Sequence, residues 1–273
     1  MTFRGKVAVV TGAASGIGRA LAVGFAQRGA DVAVCDVNEV GLEETKHEVE
    51  RLGRRVFTRR VDVSDREAVH AFAGEVLQHF GQVDFVVNNA GVSVSDTVLD
   101  SRYEDWDWIV GINFWGVVHG TKAFLPHMVE RNTGSIVNVS SIFGIIAVPT
   151  QGLYNATKFA VRGMTEALRH ELEGTGVHVA VVHPGGIDTN IVRNSRHRRS
   201  PDGTTDKDAS VARFQKAART TPTQAAETIL RGIERREPRI LIGADAKLLE
   251  KIQRSAPVRY WTILKKALQF VER

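Results

Sequence analysis

Short apolar runs alternate with longer stretches of helical periodicity along the first 190 residues. The runs predict buried strands over 6–11, 31–36, 55–63, 84–88, 134–140 and 177–183. They are continuous rather than alternating, which is typical of strands that are covered on both faces of a sheet. Between them, apolar positions three and four residues apart predict amphipathic helices. The first three of these helices cover 17–28, 40–52 and 67–80.

Strands that alternate with helices in this way predict an α/β fold with a doubly wound parallel sheet and helices on both faces. Residues 1–190 contain no internal repeat and no linker rich in Pro, Gly or Ser. We therefore expect a single domain over residues 1–256.

The pattern changes near residue 190. Residues 190–222 are polar and basic, and large apolar side chains are few among them. Long irregular segments in compact domains are usually lids, binding loops or disordered, and we expect a substrate lid loop here. Helical periodicity returns over 223–236, and a short strand is predicted over 239–242.

The C-terminal residues 257–273 predict a basic amphipathic helix. Its apolar stripe consists of Trp261, Leu264, Leu268 and Val271. Because amphipathic faces most often pack on a protein core, we expect this helix to dock on its own body or on another subunit. The alternative is peripheral contact with an anionic membrane surface through the same helix.

The net charge hides a strong asymmetry between the two parts of the chain. The 273 residues carry 36 Lys and Arg against 31 Asp and Glu, a formal net charge of +5. Residues 1–190 hold 17 basic and 22 acidic side chains, whereas residues 191–273 hold 19 basic and 9 acidic ones. This basic remainder raises nucleic-acid binding as a function class. No recognised reading motif accompanies it, so we expect no nucleic-acid partner.

Cysteine content and apolar run length exclude further classes of protein. A single cysteine, Cys35, rules out an intrachain disulfide and argues against a Cys-based zinc site. The histidines show no zinc-ligand spacing, so no metal is expected. No apolar run approaches the roughly 18 residues of a membrane span. We expect a cytoplasmic protein, with membrane association only through its C-terminal helix.

A glycine-rich turn lies between the first predicted strand and the first helix. The sequence Thr-Gly-Ala-Ala-Ser-Gly-Ile-Gly over 11–18 places Gly12, Gly16 and Gly18 where a phosphate would approach backbone N–H groups. The helix N-terminus would add partial positive charge. The spacing differs from the general G-x-G-x-x-G dinucleotide fingerprint. An ordinary glycine-punctuated junction between strand and helix therefore remains the alternative.

An acidic residue, Asp36, ends the second predicted strand, 18 residues after Gly18. A carboxylate at that position would bind the 2′-hydroxyl of an adenosine ribose. It would also repel a 2′-phosphate, so NAD is favoured over NADP. The nearest cation, Arg19, lies within the first predicted helix. The alternative is that Asp36 only caps a helix or closes a turn.

Tyr154 and Lys158 lie one turn apart in a helix predicted to begin near residue 152. The same stripe continues through Val161, Thr165 and Leu168, so the pair lies on the inward face. A neighbouring ammonium group favours the phenolate form of a buried tyrosine. We therefore expect a lowered pKa for Tyr154 and proton exchange with a substrate hydroxyl or carbonyl.

With further motifs in the same order, these residues resemble the short-chain dehydrogenase/reductase family over about residues 5–190. The matching positions are 11–18, Asp62-Val63, the Asn-Asn-Ala-Gly run 88–91, Asn113, Ser140-Ser141, the Tyr-Asn-Ala-Thr-Lys run 154–158 and the Pro-Gly-Gly-Ile-Asp-Thr run 184–189. The resemblance implies a single-domain Rossmann-type fold. It also implies hydride transfer between a nicotinamide cofactor and a carbinol or carbonyl carbon.

The resemblance implies a role for each catalytic residue. Tyr154 would be the general acid/base, and Lys158 would lower its pKa and bind the nicotinamide ribose. Ser141 would bind and polarise the substrate oxygen, and its spacing before Tyr154 favours it over Ser140. Asn113 would hold a water that links Lys158 to a proton relay. Taken singly, Ser141 and Asn113 would each be better explained by a structural role, as a cap at the end of a strand and as a locally satisfied polar residue in a helix; taken together with the other motifs they are not.

The resemblance also implies which residues contact NAD. Those in the glycine turn would hold the pyrophosphate, and those after the second, third and fourth strands would contact the adenosine side. Those after the sixth strand and in the Tyr-Lys helix would contact the nicotinamide side. The predicted cofactor-binding residues are Gly12, Ser15, Gly16, Ile17, Gly18, Asp36, Asp62, Val63, Asn89, Ala90, Gly91, Tyr154, Lys158, Pro184, Gly185, Ile187 and Thr189.

Apolar residues around the expected pocket predict an alcohol, ketone or aldehyde on a hydrophobic body. They are Val92, Val94, Ile142, Phe143, Ile145, Ile146, Val148, Leu153, Ile191 and Val192. A basic run over 193–199 lies in the expected lid. A solvated loop is the favoured interpretation of this run, and attraction of an acidic substrate or an anionic lipid is the alternative.

The expected function is therefore that of an NAD-dependent dehydrogenase. A catalytically silent nucleotide-binding regulator on the same fold is the alternative, although the presence of Ser141, Tyr154 and Lys158 argues against it. The resemblance implies a homodimer or homotetramer, formed through helices near 100–125 and 154–172.

Overall fold

The computed structural model describes residues 2–201 and 203–271, without the side chains of 267–271. Within these ranges the strands are β1 Val7–Thr11, β2 Asp31–Asp36, β3 Val56–Arg60, β4 Phe85–Asn88, β5 Val94–Ser95, β6 Gly134–Val139, β7 Val177–Pro184, β8 Arg196–His197 and β9 Arg239–Ile242.

The α-helices alternate with these strands and extend beyond them at the C-terminus. They are α1 Gly16–Gln27, α2 Glu39–Arg51, α3 Arg66–Phe80, α4 Tyr103–Val110, α5 Gly116–Glu130, α6 Gly152–Glu171, α7 Lys207–Ala217, α8 Pro222–Glu234, α9 Ala244–Ser255 and α10 Tyr260–Val271. A π-helical turn, Gly111–Trp115, joins α4 to α5, and a 3₁₀ turn, Ile142–Gly144, precedes α6.

Seven of the strands form one parallel sheet in the order β3-β2-β1-β4-β6-β7-β9. The predicted Rossmann-type, doubly wound fold is therefore confirmed. The sheet extends in both directions from β1, because β2 pairs with one of its sides and β4 with the other. Where the strand order reverses in this way, the loops after the two strands diverge and leave a crevice at the carboxyl edge of the sheet.

Successive residues of a strand contribute to two separate cores. Ala8 and Val10 of β1 pack with α1 and α8 on one face, and Val7 and Val9 pack with α3 and α5 on the other. This explains why the apolar runs are continuous. Strand β3 lies at the edge of the sheet, is partly exposed and ends at Arg60, so it is shorter than the predicted 55–63.

The segment predicted to be an irregular lid, 190–222, contains regular structure. Strand β8 pairs in parallel with β5 to form a separate two-stranded sheet. Helix α7 follows, and its N-cap Asp206 accepts a hydrogen bond from the backbone N–H of Ala209. The expectation of a wholly irregular segment was wrong because α7 has no buried residue, and hence no apolar stripe by which to predict it.

The later elements follow the predicted pattern more closely. The helix predicted over 223–236 and the strand predicted over 239–242 are found as α8 and β9. The predicted C-terminal helix is found as α10; residues 272–273 and the side chains of Leu268 and Val271 lie outside the described part of the chain. Among the described residues, no helix is both long enough and apolar enough to cross a membrane.

Candidate active site

The glycine turn between β1 and α1 has no space for side chains at the positions where a phosphate is predicted. Gly12 has a φ of +68°, which residues with a side chain disfavour. A Cβ atom at Gly18 would lie 2.1 Å from the carbonyl oxygen of Gly12. The backbone therefore passes directly in front of the α1 N-terminus. Free N–H groups there attract anions, so this arrangement fits a pyrophosphate.

Ser15, Ile17 and Thr189 surround the glycine turn. Ser15 is the exposed N-cap of α1, and its side chain makes no capping hydrogen bond. Ile17 packs against the core beneath α1. A Cβ atom at Gly16 would lie 3.3 Å from Cγ2 of Thr189. Thr189, the predicted cofactor residue that comes last in the chain, therefore packs against the glycine turn, which comes first.

Asp36, at the end of β2, faces the same turn. Its Oδ2 accepts a hydrogen bond from the backbone N–H of Ala14 at 3.0 Å, and its Oδ1 accepts one from that of Asn38 at 3.0 Å. Arg19 turns toward α2, where its Nε donates to Oγ1 of Thr45 at 3.1 Å. The carboxylate is thus beside the turn, as ribose binding requires, and it also stabilises the loop backbone, as the alternative interpretation predicts.

Asp62 and Val63 follow β3 and differ in their surroundings. Asp62 is exposed, and its Oδ1 accepts hydrogen bonds from the backbone N–H and the hydroxyl of Ser64 at 2.9 and 2.7 Å. Val63 is buried, and its carbonyl oxygen accepts a hydrogen bond from Nδ1 of His119 at 3.1 Å. A Cβ atom at Gly116 would lie 2.7 Å from Cγ2 of Val63. Val63 therefore packs against α5, and Asp62 is the exposed member of the pair.

Asn89, Ala90 and Gly91 follow β4 and connect the two halves of the crevice. Nδ2 of Asn89 donates to the carbonyl oxygen of Gly12 at 3.2 Å, and the backbone N–H of Ala90 donates to the hydroxyl at the end of β1 at 3.0 Å. A Cβ atom at Gly91 would lie 3.4 Å from Nζ of Lys158. This turn therefore extends from the glycine turn to the predicted catalytic lysine.

Ser141, Tyr154 and Lys158 meet at the carboxyl edge of the sheet, and each is at least nine-tenths buried. The Ser141 side chain lies near enough to the Tyr154 phenol to act on its pKa. Oγ of Ser141 also accepts a hydrogen bond from the backbone N–H of Phe143 at 3.1 Å. Nζ of Lys158 lies 5.6 Å from the centre of the Tyr154 ring. The structure thus brings these three predicted catalytic side chains together.

The expected lowering of the Tyr154 pKa was wrong. Burial raises the pKa of Tyr154 to about 12, although the Ser141 side chain opposes this shift. Burial lowers the pKa of Lys158 to about 8, and its Nζ donates to the carbonyl oxygen of Val139 at 3.0 Å. The expectation considered only the attraction between ammonium and phenolate. It omitted the cost of removing both charged forms from water.

Ser140 and Ser141 have different partners. Oγ of Ser140 donates to the carbonyl oxygen of Lys158 at 2.8 Å, whereas Ser141 contacts Tyr154. A residue without a predicted role, Asn155, donates from Nδ2 to two loop carbonyl oxygens, those of residues 143 and 146, at 2.8 Å each. Asn155 therefore fixes the serine loop to the Tyr-Lys helix. Its position inside the Tyr-Asn-Ala-Thr-Lys run was the sequence feature that could have indicated this role.

Asn113 lies in the π-helical turn and is fully buried. Its Nδ2 donates to the carbonyl oxygen of Val92 at 2.9 Å and to the hydroxyl of Thr157 at 3.2 Å, and its Oδ1 accepts from the backbone N–H of Val92 at 2.8 Å. These partners engage both the donor and the acceptor of the side-chain amide, and the predicted role of Asn113 in holding a water stays a prediction. π-Helical turns shift the helical hydrogen bonds and are frequent at functional sites.

Pro184, Gly185 and Ile187 lie where β7 leaves the sheet. Ile187 is buried and forms a parallel bridge with Thr220, just before α8. A Cβ atom at Gly185 would lie 2.3 Å from Oδ2 of Asp245, in the first turn of α9. The loop 184–189, which is predicted to contact the nicotinamide, is therefore held by the segment before α8 and by the first turn of α9. Both come later in the sequence than the recognised motifs.

The apolar residues predicted to line the pocket fall into two sets, except Val192, which belongs to neither. The set that packs with Tyr154 consists of Val92, Val94, Phe143, Leu153 and Ile191, together with Trp106 and Trp108. The set that packs with α9 and α10, away from the phenol, consists of Ile142, Ile145, Ile146 and Val148. The first set therefore lies beside the phenol, where lining a substrate pocket stays a prediction, and the second set belongs to a core.

The basic run of the lid is paired with acidic residues that precede and begin α4. Arg196 and Arg198 each donate to a different oxygen of the buried Asp105 at 2.9 Å. Arg199 lies 3.6 Å from the carboxylate of Asp100. The run is therefore partly solvated, as the favoured interpretation predicts, and three of its arginines are ion-paired as well. Attraction of an acidic ligand stays a prediction.

Helix α10 docks on the loop that carries Ser141. Oη of Tyr260 accepts a hydrogen bond from the backbone N–H of Ala147 at 2.9 Å and donates to the carbonyl oxygen of Ala147 at 3.1 Å. Leu264 packs against the apolar set behind the loop. The described part of this helix thus packs on its own chain, as the first of the two alternatives predicts.

Comparison with known proteins places the chain among related sequences. The family model for short chain dehydrogenases matches residues 6–200. A protein from Mycobacterium tuberculosis named putative oxidoreductase SadH is 46% identical over 257 residues, which cover 93% of this chain and 91% of the relative.

Solved structures resemble most of the chain. A short chain dehydrogenase/reductase from Burkholderia phymatum in complex with NAD has a TM-score of 0.86 and 32% identity, covering 94% of this chain and 95% of that one. An alcohol dehydrogenase from Thermococcus sibiricus complexed with 5-hydroxy-NADP has a TM-score of 0.73 and 28% identity, covering 87% and 95%. Proteins with this fold therefore bind either dinucleotide.

Proposed function

This chain belongs to the short-chain dehydrogenase/reductase family of oxidoreductases, and we propose that it transfers a hydride between NAD and a secondary alcohol, ketone or aldehyde on a hydrophobic body. The observation that carries the proposal is the buried contact between Ser141 and Tyr154, beside Lys158 and at the edge of the nucleotide crevice. A silent nucleotide-binding regulator would need none of these three buried polar side chains.

The chain's own residues fit a dinucleotide along this crevice. The close-packed glycine turn and the α1 N-terminus would hold the pyrophosphate, and Asp36 and Asp62 would hold the adenosine part. Tyr154 and Lys158 would hold the nicotinamide ribose, and the loop 184–189 would hold the carboxamide. When bound, the cofactor supplies the carbon that gives or takes the hydride.

The proton is assigned to Oη of Tyr154. In reduction, Oη gives its proton to the substrate carbonyl oxygen; in oxidation, it takes the proton of the alcohol. Ser141, beside Tyr154, would bind the same substrate oxygen and orient it. Lys158 supplies a positive charge 5.6 Å from the ring and stabilises the phenolate that reduction leaves behind.

The surroundings of Tyr154 support an apolar substrate. Phe143 lies edge-on to the Tyr154 ring with ring centres 6.2 Å apart, and Val92 and Ile191 pack in the same cluster. The arginines of the lid are engaged by Asp100 and Asp105. These contacts favour a neutral hydrophobic substrate over an acidic one.

A substrate screen with a matched variant tests the proposal. Secondary alcohols and ketones of graded chain length are incubated with NAD or NADH, and with the corresponding NADP forms, while the absorbance of the reduced cofactor is followed. We expect turnover that increases with apolar chain length. Tyr154→Phe should bind NADH normally but lose turnover by about 10²-fold or more, whereas Tyr103→Phe, at an exposed tyrosine, should keep full activity. A fully active Tyr154→Phe enzyme would remove Tyr154 from the assigned role.

Assembly and domain organisation belong to the same proposal. We propose one catalytic domain over 1–256 with a substrate lid over 190–222, and a C-terminal helical segment over 257–273 that docks on it. Two large side chains support a homodimer or homotetramer: Trp115, at the end of the π-helical turn, and Phe159, on α6, are 49% and 41% exposed.

A further inference from the structure

His183 lies near the end of β7 and is fully enclosed, with 0% of its surface exposed. Its neighbours in the strand are apolar valines, and it directly precedes Pro184. Burying an imidazole costs free energy unless hydrogen bonds compensate for the lost contact with water. The hydrogen bonds of this side chain therefore indicate why a histidine is tolerated at this buried position.

A single hydrogen bond accounts for the polar contacts of His183. Its Nδ1 lies 2.9 Å from the carbonyl oxygen of Ser141. Because a carbonyl oxygen can only accept, Nδ1 must carry the proton and donate. Within the described part of the chain, the buried Nε2 has no hydrogen-bond partner. Burial also lowers the pKa of His183 to about 4, so the ring is neutral at pH 7.

Ser141 is thereby held on two sides. Its hydroxyl contacts Tyr154 and accepts from the backbone N–H of Phe143, and its carbonyl oxygen accepts from His183. The preceding residue is fixed to β7 as well, because the backbone N–H of Ser140 donates to the carbonyl oxygen of Val182 at 2.9 Å. These bonds define the orientation of the peptide groups that carry the Ser141 side chain.

We propose that His183 is a positioning residue for Ser141. Its Nδ1–H holds the Ser141 carbonyl oxygen, and this keeps the Ser141 hydroxyl in reach of Tyr154 and of the substrate oxygen. The inference rests on the proposed function in one respect, namely that Ser141 binds the substrate oxygen. The geometric part, that His183 orders the loop after β6, stands independently of any activity.

Two amide substitutions distinguish a donor at the position of Nδ1 from a donor at the position of Nε2. The side-chain amide nitrogen of Asn stands as many bonds from Cα as Nδ1 does, whereas that of Gln matches Nε2. His183→Asn therefore keeps the donor to Ser141, and His183→Gln displaces it. Both variants remain polar, and Gln is closer to His in size than Asn is, so a loss confined to His183→Gln does not come from lost volume. The comparison thus isolates the hydrogen bond from the general effects of changing a buried residue.

A second histidine on β7 supplies the control. His178 is also buried, but its partners are the Ser135 hydroxyl, 3.0 Å from Nδ1, and the Glu237 carbonyl oxygen, 3.2 Å from Nε2. These contacts lie at the start of the strand, away from the Ser141 loop. His178→Gln should therefore perturb β7 without disturbing Ser141.

Hydrogen–deuterium exchange and kinetics give two separate readouts. We expect amides of residues 141–146 to exchange about tenfold faster or more in His183→Gln, and at the wild-type rate in His183→Asn and His178→Gln. With the best alcohol of the screen, kcat should fall about tenfold or more in His183→Gln, with the Kd of NADH unchanged. His183→Asn and His178→Gln should stay within about twofold of the wild type in kcat.

The outcomes distinguish the two proposals. Wild-type exchange in His183→Gln, or equal loss of order or of kcat in His183→Asn and His183→Gln, overturns the role of His183. If the exchange pattern is as expected but the wild-type protein reduces or oxidises nothing in the screen, the positioning role stands and the proposed function fails.

Discussion

Burial governs the acid–base state of the two central side chains, Tyr154 and Lys158. The phenol has a raised pKa of about 12, and the ammonium has a lowered pKa of about 8. Both shifts favour the uncharged form of a group that is removed from water. At neutral pH the phenol therefore holds its proton and is ready to act as an acid toward a carbonyl oxygen.

This state predicts opposite pH dependences for the two directions. Alcohol oxidation requires the phenolate, whose fraction rises tenfold per pH unit below the pKa of Tyr154, so kcat/KM for oxidation should rise from pH 7 to pH 8. It should rise less steeply above pH 8, because Lys158 there loses the charge that stabilises the phenolate. Ketone reduction requires the phenol and should stay nearly constant over pH 7–8. Initial rates in both directions, in buffers of equal ionic strength, give the two profiles. An oxidation rate that is flat above pH 7 would show that the working pKa lies lower.

Asp36 should decide which dinucleotide binds. Its carboxylate lies beside the glycine turn, and Arg60 is its partner in the β2–β3 register. In Asp36→Ala the repulsion of a 2′-phosphate is lost and the neighbouring guanidinium remains, so the Kd ratio of NADPH to NADH should fall about tenfold or more. Fluorescence titration with both cofactors measures the ratio. Asp65→Ala, at the N-cap of α3, is the matched control and should leave the ratio unchanged.

At the scale of elements, α4, the π-helical turn and the lid behave as one connected unit. Asp105 of α4 accepts hydrogen bonds from Arg196 and Arg198, and Asn113 of the π-helical turn is bonded to Val92, just before β5. Burial alone would raise the pKa of Asp105, but the bonds from the two arginines outweigh it and hold this pKa below its ordinary value. The lid is therefore anchored by charge as well as by the β5–β8 pairing.

Asp105→Asn should loosen this anchor. Losing hydrogen bonds to a charged acceptor should lower the free energy of unfolding by about 1–3 kcal/mol and speed proteolysis near residues 196–200. Urea unfolding and limited proteolysis measure the two effects. In the exposed pair of Arg199 with Asp100, Asp100→Asn should cost less than about 1 kcal/mol. Equal stability losses in both variants would contradict the anchor.

The contribution of Asp105 to the stability of the folded protein depends on pH. Because the folded-state pKa of Asp105 lies below its unfolded value, its contribution to stability is complete above the unfolded pKa of about 3.9. It is lost as the pH falls through the folded-state pKa, and Asp105→Asn should lack this part of the acid sensitivity.

Elements with a periodic apolar stripe or a dense motif could be predicted from the sequence, and elements without one could not. The strands β1, β2, β4, β6 and β7 and the helix α6 follow their apolar runs closely. Helix α7 has no buried face, and the pairing of Arg196 with Asp105 joins residues 91 positions apart. The raised pKa of Tyr154 depends on burial in three dimensions, so the spacing of Tyr154 and Lys158 alone predicted the wrong direction.

At the scale of the whole molecule, the acidic and basic parts of the chain neutralise each other internally. Arg196, Arg198 and Arg199 of the basic part contact acidic residues of the first part. In the opposite sense, Arg28 of α1 contacts Glu227 and Glu234 of α8 at 2.8 and 3.0 Å. The uneven distribution of charge along the sequence is therefore partly explained by ion pairs between distant segments.

The exposed aromatic residues predict that the protein forms an oligomer in solution. Light scattering after size-exclusion chromatography should give a dimeric or tetrameric mass for the wild-type protein. Phe159→Lys, on the exposed face of α6, should shift the mass toward the monomer, because an apolar contact would be replaced by a buried charge. Leu99→Lys, at a residue that is 92% exposed, should not change the mass. A monomeric wild-type protein would contradict the expected assembly.

The docking of α10 on the serine loop also bears on the order in which the chain folds during synthesis. Strand β9 pairs with β7, and Tyr260 binds the backbone of Ala147, so part of the support of this loop comes from residues that are synthesised about 100 positions after it. The nucleotide half, β1 to β4 with its helices, emerges much earlier and can begin to fold while synthesis continues. A nascent chain can thus assemble its dinucleotide crevice before its catalytic loop is fully supported.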